Sequence, residues 1–176
     1  NKYLILSIMI LSLSSCDNKD KTNSVYIQGG GTLDDWANLS KYKESNKILM
    51  SEIDENRVVF MGNSITEGWS NFDPDFFIRN PYVNRGISGQ TTPQMLIRFK
   101  PDVVNLKPKS VVILAGINDI AGNTGPMKIE NIAENIFSMS EIALANNIEV
   151  FICSVLPAKA FPWSPSIKNV AEKVIK

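Results

Sequence analysis

Short apolar runs alternate with amphipathic stretches along most of the chain. Three runs are rich in β-branched and other apolar residues, which is typical of buried strands: 57–62, 110–116 and 148–155. A weaker strand is predicted over 82–85. Helical spacing of apolar residues predicts helices over 33–49, 92–100, 128–146 and 166–176, with Pro101 ending the second. Apolar strands that alternate with helices predict an α/β domain with a parallel sheet covered on both faces.

The first residues have a different pattern. Lys2 is followed by an apolar stretch and small residues before Cys16, an order typical of signal peptides. The stretch is shorter than the roughly 20 apolar residues of a membrane span. A buried apolar helix is the alternative. The sequence Leu13-Ser14-Ser15-Cys16 resembles a bacterial lipobox, which implies cleavage before Cys16 and lipidation of its sulfur.

We therefore expect a signal peptide over 1–15, a lipidated Cys16 with a flexible tether over 16–32, and a folded domain over 33–176. This arrangement places the protein in the cell envelope, periplasmic or surface-exposed, with the lipid as its membrane contact. The second cysteine, Cys153, lies in an apolar run and is predicted to be a buried core thiol.

Composition narrows the possible chemistry. The 18 basic and 18 acidic residues give no net charge, so nothing favours nucleic acid as a partner. The chain has no histidine, which excludes a histidine base or metal ligand within these residues. Two cysteines are too few for a cysteine-rich zinc site.

Polar segments follow three of the predicted strands, over 62–68, 84–91 and 116–119. Ligands of open parallel sheets bind at the carboxyl ends of the strands, so these segments are the candidate site. Ser64 is a candidate nucleophile, and Gly89 and Asn118 are candidate donors to an oxyanion.

Each residue also has a structural interpretation. Ser64 is typical of a helix N-cap and Glu67 of its capping-box partner, whereas Gly89 suits a turn. Asn118 and Asp119 suit a cap or a turn. The shared position of all three segments at one sheet edge favours the catalytic interpretation.

The three segments resemble the first three sequence blocks of the SGNH (GDSL-like) hydrolase superfamily. The matching tetrads are Gly62-Asn63-Ser64-Ile65, Gly86-Ile87-Ser88-Gly89 and Gly116-Ile117-Asn118-Asp119. Trp69 and the run from Asn84 to Leu96 are most similar to the branch of platelet-activating-factor acetylhydrolase-like enzymes.

This resemblance implies a flavodoxin-like three-layer α/β/α sandwich, usually of five parallel strands, and no cofactor. Ser64 would be the nucleophile. The N–H groups of Ser64 and Gly89 and the side-chain amide of Asn118 would bind the oxyanion.

Two departures from the family pattern matter. Asn63 stands where the family has Asp, and an amide can still hold the loop by hydrogen bonds. The family's C-terminal D-x-x-H block, which supplies the base, is missing. We therefore expect the catalytic His and Asp, with the last strand and helix, beyond Lys176. Glu67 or Asp119 as a substitute base is the alternative.

The sequence thus predicts a serine esterase that cleaves acyl esters, above all acetyl esters, of a glycan or lipid through an acyl-Ser64 intermediate. A non-catalytic lipoprotein that binds esters or glycans on the same fold is a second hypothesis. An inactive truncated product is the third.

Overall fold

The computed structural model describes residue 27 and residues 29–175. The predicted signal peptide, Cys16 and most of the tether lie outside the described residues. The strands are β1 (Val58–Gly62), β2 (Tyr82–Gly86), β3 (Ser110–Leu114) and β4 (Glu149–Ile152). The helices are α1 (Lys43–Ser51), α2 (Ser64–Phe72), α3 (Pro74–Ile78), α4 (Thr92–Asp102), α5 (Ile117–Ile120), α6 (Ile129–Ala145) and α7 (Val170–Ile175), with a 3-10 turn over Val104–Leu106.

The strands form one parallel sheet in the order β2-β1-β3-β4. Gly62 at the end of β1 is level with Gly86 at the end of β2 and with Leu114 at the end of β3. The loops that follow these strands therefore leave the sheet at the same edge. The predicted α/β class with a parallel sheet is confirmed.

Helices cover both faces of the sheet. On one face, α1, α4 and α6 pack on a core of apolar side chains from β1 and β3, and Met95, Phe99 and Met139 are completely buried there. On the other face, α2 and α3 pack over β1 and β2. Phe60 of β1 contacts Trp69 of α2 and Phe76 of α3 in edge-to-face arrangements. The three-layer α/β/α architecture follows from this packing.

The predicted first helix over 33–49 is shorter in the structure. Turns occupy the chain before Lys43, and α1 runs from there to Ser51. The Asp35 carboxylate accepts hydrogen bonds from the backbone N–H groups of Leu39 (2.6 Å) and Ser40 (2.9 Å). Asn38 has a positive φ of 55°. These local interactions of Asp and Asn compete with a helix and stabilise turns instead.

The last glycines of the predicted tether are folded. Gly29 is buried, and its carbonyl accepts a hydrogen bond from the Asn38 side chain (3.3 Å). A Cβ at Gly29 would lie 2.7 Å from the Gln90 side chain. The folded region thus begins before the predicted boundary at residue 33, because the absence of a side chain lets this segment pack closely.

Other boundaries also differ from the sequence prediction. Pro101 lies in the last turn of α4, which continues to Asp102. The strand predicted over 148–155 is limited to β4, which has a neighbour on one side only among the described strands. Cys153 is exposed, so the prediction of a buried core thiol is wrong. It follows a strand whose Phe151 and Ile152 are themselves half-exposed.

Candidate active site

Ser64 is the first residue of α2 and is exposed at the carboxyl edge of the sheet. The N-cap of this helix is Asn63, whose side-chain oxygen accepts a hydrogen bond from the N–H of Ile65 (3.0 Å). The interpretation of Ser64 as the N-cap is therefore wrong, and its hydroxyl is not used for capping. The backbone N–H of Ser64 lies in the first helical turn, where N–H groups lack partners within the helix.

The loop after β2 carries Gly89, which has a positive φ of 80°. A residue with a side chain rarely adopts this backbone conformation. The Gly89 carbonyl accepts a hydrogen bond from the Asn123 side chain (2.9 Å). Its backbone N–H makes no hydrogen bond within the described part of the chain. This N–H is available to a ligand.

Asn118 lies in α5 and is buried, with its amide nitrogen 2.9 Å from the backbone oxygen of Gln90. Gln90 directly follows Gly89, so the third polar segment is bonded to the second. The Asn118 amide has two hydrogens, and this bond uses one of them. The other can be donated to a bound group.

The first and second segments are joined through the carbonyl of Gly62. This oxygen accepts a hydrogen bond from the backbone N–H of Ile87 (3.1 Å) and another from the side chain of Arg98 (3.1 Å). The level strand ends and these bonds hold the segments that contain Ser64, Gly89 and Asn118 together at one edge of the sheet.

Neither candidate substitute base makes a hydrogen bond to Ser64. The Glu67 carboxylate accepts hydrogen bonds from the backbone N–H (2.7 Å) and hydroxyl of Ser88 and pairs with Lys41. Burial raises the pKa of the Glu67 carboxyl, but the bonds from Lys41 and Ser88 outweigh this, so the pKa lies below its ordinary value. Glu67 therefore holds the glycine loop and does not act as a capping-box partner of Ser64.

The carboxylate of Asp119 is hydrogen-bonded to Thr92 instead. It accepts hydrogen bonds from the backbone N–H (2.9 Å) and hydroxyl (2.6 Å) of Thr92 at the start of α4. Burial raises the pKa of this carboxyl, and the bonds from Thr92 oppose the effect. Asp119 thus accepts hydrogen bonds at the N-terminal end of α4.

Sequence reasoning missed a buried polar network below the site. Arg98 pairs with Asp102 (2.9 Å), Asp102 accepts from the Asn46 amide (2.7 Å), and the Asn46 oxygen accepts from Arg85 (2.7 Å). The Tyr42 hydroxyl donates to the carbonyl of Gly86, and burial raises the pKa of this tyrosine to about 12. The available signal was the i, i+4 placement of Arg98 and Asp102 on the apolar face of α4.

A cavity of about 240 Å³ lies next to the nucleophile loop. It is lined mainly by apolar groups from the ends of β3 and β4, including Leu114 and Val155, and by Asn63 and Ile65 on either side of Ser64. The amide nitrogen of Asn63 is buried and has no hydrogen-bond partner among the described residues.

No group of three or more His, Cys, Asp or Glu side chains in residues 29–175 has an arrangement that could hold a metal ion. No helix in the described part of the chain is long and apolar enough to cross a membrane.

A family model for GDSL-like lipases and acylhydrolases matches residues 60–174, a range that includes all three polar segments. The structure of a GDSL-like lipase from Bacteroides thetaiotaomicron VPI-5482 is 51% identical, with a TM-score of 0.77, and covers 79% of this chain and 68% of its own. A structure described as a candidate platelet activating factor from Streptococcus pneumonia is 24% identical, with a TM-score of 0.56, over 69% of this chain and 54% of its own. At 24% identity, the similarity to the Streptococcus pneumonia structure shows a shared fold only.

One curated relative is the uncharacterized lipoprotein YqeF of Bacillus subtilis (strain 168). It is 33% identical over 78 residues, which are 43% of this chain. The chain spans 32% of the length of this relative.

Proposed function

The chain belongs to the GDSL-like lipase/acylhydrolase family, and we propose that it provides the nucleophile and oxyanion site of a serine esterase. The observation that carries this proposal is the hydrogen bond from Asn118 to Gln90, next to Gly89, at the sheet edge where Ser64 is exposed. A nucleophile and preorganised N–H donors at one edge are the components that ester hydrolysis requires.

In the proposed reaction, the Ser64 hydroxyl oxygen attacks the ester carbonyl carbon while a base accepts its proton. The carbonyl electrons move to oxygen, and the N–H groups of Ser64, Gly89 and Asn118 bind the resulting oxyanion. The tetrahedral intermediate collapses, the alcohol leaves with a proton, and Ser64 carries the acyl group. Water then attacks the acyl-Ser64 ester and releases the acid.

The base is assigned to residues outside this sequence. These 176 residues contain no histidine, and the carboxylates of Glu67 and Asp119 are bonded to Ser88 and Thr92. A serine hydroxyl needs an adjacent base to be an effective nucleophile at neutral pH. A D-x-x-H block of the family type, in a longer form of the protein, would supply it.

We further propose that the substrates are small acyl esters, above all acetyl esters, of a glycan or lipid. The cavity of about 240 Å³ beside Ser64 supports a small acyl group. The lipobox-like sequence at Cys16 and the similarity to a Bacillus subtilis lipoprotein support a lipid-anchored protein of the cell envelope.

The test uses the protein expressed from its complete gene, with p-nitrophenyl acetate as the substrate. We expect hydrolysis that Ser64→Ala reduces by at least about a thousandfold, because the acyl acceptor is lost. The control is Ser51→Ala, an exposed serine at the end of α1, which should hydrolyse the ester as the unmodified protein does. Hydrolysis that survives Ser64→Ala would refute the assignment, and a folded protein without activity would favour the binding lipoprotein.

A further inference from the structure

Arg98 is completely buried in α4, although it carries a charge. Its guanidinium donates hydrogen bonds to the carboxylate of Asp102 (2.9 Å), the side-chain oxygen of Gln90 and the backbone oxygen of Gly62 (3.1 Å). A buried charge is tolerated only when it is paired and hydrogen-bonded, and these three partners meet that requirement. The planar guanidinium therefore has a fixed position and orientation.

Two of the three partners belong to the candidate active site. Gly62 ends β1 two residues before Ser64, so the bond to its carbonyl fixes the start of the nucleophile loop. Gln90 follows Gly89, and its side chain also donates to the carbonyl of Ala37 (2.7 Å). The guanidinium thus connects two loops that leave the sheet from neighbouring strands.

The third segment is reached through Gln90. While the Gln90 side chain accepts from Arg98, its backbone oxygen accepts from the Asn118 amide. Gln90 therefore connects Arg98 to the two oxyanion donors outside the nucleophile loop, Gly89 and Asn118.

We propose that Arg98 is a positioning residue that sets the distances among the three oxyanion donors. This inference rests on the proposed esterase function. Arg98 touches no substrate atom in this assignment, and Asp102 neutralises its charge. Its contribution is geometric, because an oxyanion hole is effective only when its donors are held in place before the charge develops.

The first variant is Arg98→Lys in the protein expressed from its complete gene. Lysine keeps the charge and the pair with Asp102 but lacks the fork that reaches Gln90 and Gly62 together. We expect kcat for p-nitrophenyl acetate to fall by about 10- to 100-fold, because small displacements of catalytic donors cost this much. KM should stay within about twofold, since substrate binding is not altered.

The matched control is Asp102→Asn, which weakens the ion pair but leaves the bonds from Arg98 to Gln90 and Gly62. We expect it to lower the melting temperature at least as much as Arg98→Lys does, with a clearly smaller loss of kcat, because the bonds to Gln90 and Gly62 remain. If Arg98 served stability alone, both variants would lose melting temperature and neither would lose kcat. That result would overturn the inference.

Gln90→Met provides a second test if Arg98→Lys does not fold. It removes the acceptor for Arg98 while keeping a side chain of similar length, and we expect a comparable loss of kcat. Where both variants fold, the double variant should lose no more than the worse single variant, since the two residues act in one chain of contacts. If the decrease in kcat of the double variant equals the product of the two single decreases, the two residues act independently and the inference is overturned.

The Ser64→Ala experiment separates the two proposals. If the unmodified protein shows no hydrolysis that depends on Ser64, the proposed function and this inference both fail. If Ser64 is required but Arg98→Lys and Gln90→Met retain full kcat, the esterase assignment stands and the role of Arg98 is refuted.

Discussion

The side-chain amide of Asn118 holds two loops together and is also a proposed donor to the oxyanion. One of its hydrogens is donated to the backbone oxygen of Gln90, and this bond orients the amide plane. Because the amide group is planar, this bond also fixes the direction of its second N–H. A side chain that is fixed by one bond loses little further freedom when it binds an oxyanion, which is the requirement for preorganised catalysis.

Asn118→Ala should therefore reduce kcat for p-nitrophenyl acetate by about 100- to 1000-fold, the usual cost of removing one oxyanion donor. Asn146→Ala is the control, because the exposed side-chain amide of Asn146, directly after α6, donates to the carbonyl of Ile142 in that helix. Steady-state kinetics of both variants would test this, and a kcat for Asn118→Ala close to that of the control would exclude the amide from the oxyanion site.

The contribution of the Glu67 carboxylate to stability depends on pH. Its folded-state pKa lies below the ordinary value of 4.5, so the folded protein releases this proton more readily than the unfolded chain does. The carboxylate thus contributes stability above that value, and the contribution is lost as pH falls through the folded-state pKa.

Glu67→Gln should lower the free energy of unfolding near neutral pH by about 1 kcal/mol, given the partial exposure of the group. The difference from the unmodified protein should shrink below pH 4.5. Urea unfolding at a series of pH values measures this, with Glu44→Gln, whose carboxylate bonds to the exposed Lys47, as the control. If the stability difference between Glu67→Gln and the unmodified protein does not change with pH, the ionised Glu67 carboxylate does not stabilise the fold as we expect.

The position of α2 depends on its close approach to β2. A Cβ at Gly86 would lie 2.1 Å from the backbone nitrogen of Glu67 and 2.7 Å from its Cα, both in α2. Only glycine permits this distance, and the helix that begins at Ser64 is placed by it. The packing of two elements therefore determines where the candidate nucleophile stands.

Gly86→Ala should force α2 away from the sheet, which we expect to cost about 1–3 kcal/mol of stability and to reduce kcat as well. Gly68→Ala is a matched control in the same helix, because its Cβ would meet only the Phe72 ring at 3.5 Å. That control should gain about 0.5–1 kcal/mol from the better helix propensity of alanine. Urea unfolding and steady-state kinetics of both variants measure these effects. If Gly86→Ala and Gly68→Ala change stability and kcat equally, the close approach at Gly86 does not determine the position of α2.

Local signals in the sequence predict the parallel sheet and the residues of the candidate site. Ser64 and Asn118 were identifiable because each follows an apolar run, and Gly89 because it follows the weaker predicted strand that becomes β2. The connections between them were not, since Arg98 and Gln90 are polar residues whose burial depends on contacts made after the chain has folded.

The errors have the same origin. The first part of the helix predicted over 33–49 forms turns around Asp35 instead, and α1 begins only at Lys43. The exposure of Cys153 depends on the position of β4 in the sheet, which the local apolar pattern does not specify. Periodicity reports which elements form, whereas burial of a particular side chain depends on its neighbours in space.

The half-exposed apolar residues of β4 lead to a prediction for residues 29–176 expressed as an isolated chain. We expect it to self-associate, because β4 has exposed apolar side chains at Phe151 and Ile152 and an unpaired edge among the described strands, which favours edge-to-edge pairing. Phe151→Lys should reduce the associated fraction, measured by sedimentation velocity. The control Ile53→Lys replaces an apolar side chain that is 95% exposed and remote from β4, and it should leave association unchanged. Equal effects of both substitutions would rule out the β4 edge.

Covalent labelling would show whether Ser64 is the nucleophile. The protein expressed from its complete gene is inactivated with a small alkyl phosphonate ester, digested with trypsin and analysed by tandem mass spectrometry. We predict one phosphonyl group per inactivated molecule, on Ser64 within the peptide that also contains Ser70, and no adduct in Ser64→Ala. An adduct on any other residue that accompanies inactivation, or full inactivation with Ser64 unlabelled, would contradict the esterase mechanism proposed for this site.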